Sequence, residues 1–428
     1  MRIAIDAMGG DHAPRATVEG AVAAARELGV AILLVGDRAT LESELARQST
    51  AGLDLEIRHA PDAIGMDESP TGALKRTESS LYRSFVACRD GEAAGVVFAG
   101  NTGAGMVLGA HVVGRLPGVE RPAIAALLPS QRGRTVLLDA GANVDCRPFH
   151  LAQFAVMGDA YARAERGVAA PRIGLLSNGL EDSKGNELTR AAAPLIRQLP
   201  INFVGYVEGR EISSGGVDVV VCDSFVGNVV LKGLEGLGGL INGRMREMFT
   251  ADRRSKLAYL LVRRHIGRLR GDLDSREAGG ALLLGLNGIA VKAHGSSDSH
   301  AMRSAIAMTA RLAQRDVAHL TAEGIAAMVL AEGATEPRRA RRLWQSIKGR
   351  ITAHGRPRPG AEEHANAERG ETGGAEAATP PAPASVPAPE QNGAQPVAKP
   401  EATYQYQGYA PKAGEPAVPA SSEGLKGK

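Results

Sequence analysis

Five glycine-rich turns hold the residues best suited to chemistry. They read Met8-Gly9-Gly10-Asp11-His12, Gly100-Asn101-Thr102-Gly103-Ala104-Gly105, Asp139-Ala140-Gly141-Ala142-Asn143, Ser177-Asn178-Gly179 and His294-Gly295-Ser296-Ser297. Each follows an apolar run that reads as a strand. Glycine lets a backbone approach a ligand closely and presents free N–H groups to an anion. In an open parallel sheet the strand ends face one crevice. The five turns are therefore expected to converge on one rim suited to phosphate.

The elements that must position these turns alternate. Strands are predicted over Arg2–Asp6, Val30–Val35, Leu53–Arg58, Gly95–Ala99, Ile124–Leu128, Thr135–Leu138, Ile173–Leu176, Phe203–Val207 and Val217–Val221. Helices are predicted over Arg15–Leu28, Ala39–Gln48, Pro70–Arg89 and Phe149–Ala164. This β-then-α order implies right-handed crossovers and helices on both faces, an α/β/α three-layer, Rossmann-like fold. No internal repeat is visible.

The chain has 428 residues, a 44% hydrophobic fraction and a formal charge of +3. The charge is uneven, because Pro337–Arg358 holds eight basic residues and no acidic one. The remainder is mildly acidic, and aromatics are only 4%. Both facts argue against a nucleic-acid partner. Cys88, Cys146 and Cys222 lie far apart, which excludes a CxxC pair and argues against a disulfide framework. That usage fits a reducing cytoplasm. Asp6 interrupts the first apolar run, so the N-terminus reads as a strand rather than a secretory signal. No apolar run reaches the ~20 residues needed to span a bilayer. Three regions are expected: a catalytic domain over 1–335, a basic amphipathic segment over 336–353, and a disordered Pro/Ala-rich tail over 354–428.

Several motifs, in order, resemble the bacterial phosphate acyltransferases (acyl-ACP:phosphate transacylases). They are Ile3-Ala4-Ile5-Asp6-Ala7-Met8-Gly9-Gly10-Asp11-His12-Ala13-Pro14, Gly100-Asn101-Thr102-Gly103-Ala104, Arg121-Pro122-Ala123-Ile124, Asp139-Ala140-Gly141-Ala142-Asn143, Lys184-Gly185-Asn186-Glu187, Phe225-Val226-Gly227-Asn228-Val229 and His294-Gly295-Ser296-Ser297. The resemblance covers about residues 1–335. It implies the fold shared by phosphate acetyltransferases and by isocitrate and isopropylmalate dehydrogenases, usually as a homodimer. The implied reaction moves a fatty acyl group from acyl carrier protein to inorganic phosphate, without a cofactor. The acyl phosphate would then serve a membrane glycerol-3-phosphate acyltransferase in phospholipid synthesis. Ser224, Gly233, Ala278, Leu282 and Leu180 depart from the family pattern, which bears on the pocket and on chain-length preference.

On that reading Lys184, Asn228 and His12 are the catalytic candidates. Gly9, Gly10, Asp11, Asn101, Thr102, Gly103, Asn143, Asn186, His294 and Ser296 are the candidates for binding phosphate or substrate, with Ser297 beside them. Lys184 taken alone reads first as a solvated loop lysine, and His12 first as a structural turn residue; the resemblance is what makes Lys184 a candidate. Asn228, Lys232 and Glu235 share one helical face, and Lys232 with Glu235 reads equally as a surface ion pair. Asn101, Thr102 and Asn143 read equally as caps. Cys222 reads as core. No ligand spacing suggests a metal.

Two basic amphipathic stretches, Arg253–Arg270 and Arg338–Ile351, suit an anionic membrane surface or the acidic carrier protein. A cytoplasmic, peripherally membrane-associated protein is therefore expected. The rival readings are a short-chain phosphotransacylase using coenzyme A, a dehydrogenase, and a non-catalytic membrane scaffold.

Overall fold

Apolar residues alternate across the first strand so that both of its faces are buried. Ile3 and Ile5 point into one core and Ala4 into the other. A strand can be apolar on both sides only where helices cover both faces of its sheet. The computed structural model describes residues 1–273 and 279–332 and has that architecture. All of these residues belong to one compact unit. The basic segment at 336–353 and the tail lie outside the described residues.

The strands are β1 (Arg2–Asp6), β2 (Ala31–Gly36), β3 (Leu55–His59), β4 (Gly95–Phe98), β5 (Ala123–Ser130), β6 (Gly133–Leu138), β7 (Ile173–Leu176), β8 (Phe203–Val207), β9 (Val219–Val221), β10 (Ala281–Leu284) and β11 (Ile289–Lys292). They form one sheet in the order β3-β2-β1-β4-β11-β10-β5-β6-β9-β7-β8. The helices are α1 (Arg15–Leu28), α2 (Arg38–Leu45), α3 (Ser80–Arg89), α4 (Thr102–Leu108), α5 (Pro148–Arg166), α6 (Glu187–Arg197), α7 (Gly209–Ser214), α8 (Ser224–Thr250), α9 (Arg253–Leu273), α10 (Ser299–Gln314) and α11 (Val317–Glu332). On one face α1, α5, α10 and α11 pack over Ile3, Ile5, Val97, Leu138 and Val219; α3 and α4 help cover the other.

Most strand pairs are parallel, but the centre is not. β11 pairs antiparallel with β10, β10 with β5, and β5 with β6. Three successive reversals turn the second half of the sheet over. The ends of β1, β4 and β11 therefore face one edge, and those of β6, β9 and β7 face the opposite edge. This corrects the expectation that all five glycine turns share one rim. The apolar stretch at 281–293, unassigned in the sequence, holds β10 and β11, and these carry the reversal.

A second correction concerns Pro70–Arg89. Only Ser80–Arg89 is α-helix; a single 3-10 turn at Gly72–Lys75 precedes it. Arg76 holds the preceding loop instead, with Nε on Asp62 at 2.6 Å and Nη1 on Glu68 at 2.6 Å. Ser79 then caps α3 by accepting the Tyr82 N–H.

The start of α3 is tied to β1. The Ser80 hydroxyl donates to Asp6 Oδ1 at 2.6 Å. Burial pushes the Asp6 carboxyl up to about 6, against the Ser80 bond and the Met8 N–H, which favour the charged form. A carboxyl raised in the folded state stabilises the fold fully below its unfolded value and progressively less as pH rises through the folded one. Asp6 is therefore expected to weaken the fold as pH rises from about 4 to about 7. Urea unfolding should show Asp6→Asn gaining on the parent protein across that range; a constant difference would contradict this.

Candidate active site

The candidate site is built where α8 crosses the open face of β5. Asp139, at the end of β6, is fully buried and accepts N–H groups from every side. Oδ1 takes those of Ile124, Gly141 and Ala142 at 3.0–3.1 Å, and Oδ2 takes Asn143 N at 2.8 Å and Asn143 Nδ2 at 2.7 Å. Burial raises its carboxyl, and these donors oppose the rise. The resulting loop carries the carbonyls that receive α8. Asn143 O accepts Ser224 N at 3.0 Å, and Asp223 caps the helix by accepting Val226 N at 3.0 Å.

Gly227 makes the closest approach. A Cβ there would lie 1.9 Å from the Asp139 carbonyl oxygen, so no other residue fits without moving the helix. From this root α8 runs along β5 toward the opposite sheet edge. The cleft beneath it has a volume of about 630 Å³.

The cleft lining has two characters. Ile124, Ala126 and Leu128 of β5 face Phe225, Val229 and Leu231 of α8 to make an apolar wall. At the end toward β11 stand Thr102, Lys232, Glu235, Lys292, His294 and Ser297, while Asn228 lines the cleft one residue beyond Gly227, nearer the root of α8. Lys232 Nζ donates to Glu235 at 2.7 Å. The Asn228 amide is exposed to the cleft and has no partner among the described residues.

His294 is set up as a donor. Its Nδ1 accepts the Ser296 hydroxyl at 2.8 Å and the Ser296 backbone N–H at 3.2 Å. Partial burial, then the charges of Lys292 and Lys232, lower its pKa. The ring is therefore neutral near pH 7, and the occupied Nδ1 places its proton on Nε2.

The sequence candidates fall in different places. Asn228, Thr102 and His294 line the cleft, and Ser296 orients His294. Gly9, Gly10, Asp11 and His12 form a turn outside the lining, clasped to the β11 loop by Asp11 N on Gly295 O at 2.8 Å. Gly10 has φ +103°, and a Cβ on Gly9 would meet Asp6 Oδ2 at 2.4 Å, so both glycines are required by the turn itself. Lys184 and Asn186 occupy the exposed loop after β7, at the sheet edge where α8 is rooted, and do not line the cleft.

The side chains of the other asparagines are committed internally. Asn101 caps α4 through Ala104 N and donates to the Met66 and Glu68 carbonyls at 3.0 and 2.8 Å. Asn143 donates to Pro122 O and Asp139, and Asn186 caps α6 through Thr189 N. Gly103 lies against Pro70, 2.5 Å from where a Cβ would reach. Cys222 is core: burial pushes its thiol well up. Lys292 escaped the sequence reading because it ends an apolar run that looks like any strand. Among the described residues, no cluster of His, Cys, Asp and Glu is arranged to hold a metal.

The sheet, covered by helices on both faces, has the α/β fold of the phosphotransacetylases. A phosphotransacetylase from Streptococcus pyogenes has the same fold, at a TM-score of 0.50, 16% identity, and coverage of 73% of this chain and 94% of that one. The family model described as "Fatty acid synthesis protein" matches residues 1–320. The phosphate acyltransferase of Geobacter sulfurreducens is 52% identical over 307 residues, spanning 72% of this chain and 89% of the relative. That of Pelobacter propionicus is 48% identical over 324 residues, spanning 76% and 94%. The chain belongs to the phosphate acyltransferase family.

The root of α8 can be tested by contrast. Gly227→Ala places a Cβ 1.9 Å from a backbone oxygen, so overpacking at or above the upper end of its usual range, about 3 kcal/mol, is expected to outweigh the ~1 kcal/mol that helix propensity returns. Gly233→Ala, on the same helix with nothing within 4 Å of the new Cβ, is expected to stabilise slightly. Thermal midpoints that move the same way in both variants would contradict the close approach.

Proposed function

We propose that this enzyme transfers a fatty acyl group from acyl carrier protein to inorganic phosphate. The observation that carries the reading is the cleft's two-part lining, in a chain of this family. The apolar wall between β5 and α8 suits an acyl chain, and the polar end suits a thioester meeting an anion.

The chemistry asks little of the protein beyond positioning. Inorganic phosphate loses its second proton near neutrality, so a substantial share of it is already the dianion without a general base. The leaving thiol has a pKa of about 8.5. The dianion attacks the thioester carbon, the C–S bond breaks, and the proton left on the phosphoryl group goes to the thiolate. The step is neutral overall in protons. Its barrier lies in orientation and in the oxyanion. Asn228 donates its free amide to the carbonyl oxygen, and His294 Nε2–H serves the oxyanion or the departing sulfur. Lys184, at the far sheet edge, is the cation proposed to meet the anionic substrates as they enter.

The partners follow from the same reading. Arg253, Arg254, Lys256, Arg263 and Arg264 on α9 suit the acidic carrier protein. Leu237, Leu240 and Met248 on α8, with Leu257, Leu260 and Leu261 on α9, are exposed apolar residues suited to a homodimer contact and to an anionic membrane surface. Membrane attachment would be peripheral, because no helix among the described residues is long and apolar enough to cross a bilayer. The product would pass to a membrane glycerol-3-phosphate acyltransferase, with the enzyme on the cytoplasmic side.

Purified protein with palmitoyl-acyl carrier protein is expected to release thiol only when phosphate is present, and hydroxylamine is expected to trap a hydroxamate. Asn228→Ala should lower kcat on the order of 100-fold, as for an oxyanion donor, without moving the thermal midpoint. Phosphate-independent release would identify a thioesterase and overturn the reading.

A further inference from the structure

Lys292 ends β11 and enters the cleft from the sheet itself, not from a flexible loop. Its ammonium has no hydrogen-bond or ion-pair partner among the described residues. Among the described residues the one carboxylate lining the cleft, Glu235, is engaged by Lys232 at 2.7 Å. Burial and then the charge of Lys232 lower the Lys292 pKa, with Glu235 opposing. Lys292 is only partly buried, so its ammonium stays open to the cleft, and among the described residues no anion pairs with it.

A second polar group stands unsatisfied in the same lining. Ser297 Oγ is buried and has no partner, although its backbone N–H bonds His294 O at 3.0 Å. Ser296 is different, since its hydroxyl is used on His294 Nδ1. The cleft thus offers one unpaired ammonium, one orphaned hydroxyl and the Nε2–H of His294. All three can donate, and their natural complement is an oxyanion with several acceptor oxygens.

We propose that Lys292 and Ser297 hold the attacking inorganic phosphate. This rests on the transacylase reading and deepens it: Lys292 fixes the nucleophile beside the thioester, while Asn228 and His294 serve the acyl group. The rigidity of a strand suits that task, because the nucleophile must be held within a few tenths of an ångström of its attack position. Lys184 is left with substrate entry.

The test uses the full chain. Lys292→Met is expected to raise the KM for phosphate about 10- to 100-fold, as for a lost charge-assisted hydrogen bond, and to leave the KM for palmitoyl-acyl carrier protein unchanged. Lys292→Arg should restore part of the loss, and Ser297→Ala should raise the phosphate KM by a few-fold. Lys184→Met should not reproduce this pattern. An unchanged phosphate KM in Lys292→Met overturns the proposal. So does a rise confined to the carrier-protein KM, which would assign the cation to the phosphodiester of the carrier's prosthetic group.

A measurement on the unaltered protein covers the case in which a variant fails to fold. Competitive acetylation of lysines, read by mass spectrometry, should show inorganic phosphate slowing the labelling of Lys292 and not of Lys184. Equal labelling with and without phosphate overturns the proposal. Protection of Lys292 without any phosphate-dependent thiol release would sustain this site and reject the transacylase reading.

Discussion

The contact of Gly227 with the Asp139 carbonyl decides where the long helix α8 begins. The polar groups that α8 brings to the cleft, Asn228, Lys232 and Glu235, hang from it. A backbone can approach a backbone this closely only where a side chain is missing, and here the missing atom would sit 1.9 Å from oxygen. The Asp139 carboxylate makes the contact dependable by fixing the loop from five N–H groups. One turn of helix beyond this root would carry little meaning if its first residue could shift. Because it cannot, Asn228, Lys232 and Glu235 fall at defined heights along β5.

The reversal of strand direction gives that helix its purpose. Glycine turns lie at both edges of the sheet and cannot share a rim, so a ligand site assembled from strand ends alone would be split. Helix α8 starts at one edge and reaches the other, across a strand whose outward residues are Ile124, Ala126 and Leu128. The floor it leaves is apolar in the middle and cationic at the β11 end. A substrate with a long hydrocarbon part and a reactive polar head matches that gradient. On the proposed function an acyl thioester has those two parts, and phosphate would supply the negative charge that complements the cationic end.

Much of this was legible in the sequence, and the losses have physical causes. Doubly apolar strands such as Ile3-Ala4-Ile5 announced a covered sheet, and the glycine turns marked real close approaches. The pattern from Asn228 to Glu235 placed three side chains on the face that lines the cleft. Strand direction was not legible, because a short apolar run such as Ala281–Leu284 carries no signal of parallel or antiparallel pairing. Asn101 and Asn143 read as ligand donors or as caps, and their side chains are spent on a helix cap, on neighbouring carbonyls and on Asp139. A motif records that an asparagine is needed, not whether backbone or substrate needs it. Lys292 was invisible for a related reason: one lysine at the end of a strand reads as a solvated terminus until its surroundings are known. Pro70–Arg89 read as one helix, and the Arg76 bridges to Asp62 and Glu68 that break it join residues 8 and 14 positions apart.

The central claim is that the site is the cleft on the sheet face and not a rim of glycine turns. A crystal structure with a non-cleavable thioether analogue of palmitoyl-pantetheine and with sulfate in place of phosphate tests it most directly. The ligand keeps its carbonyl, with a methylene inserted between it and the sulfur, and the account predicts the alkyl chain between β5 and α8, the carbonyl beside Asn228, and the sulfate against Lys292 and Ser297. A chain bound outside that wall, with the anion on the Gly9–Gly10 or Asn178–Gly179 turn, would contradict it.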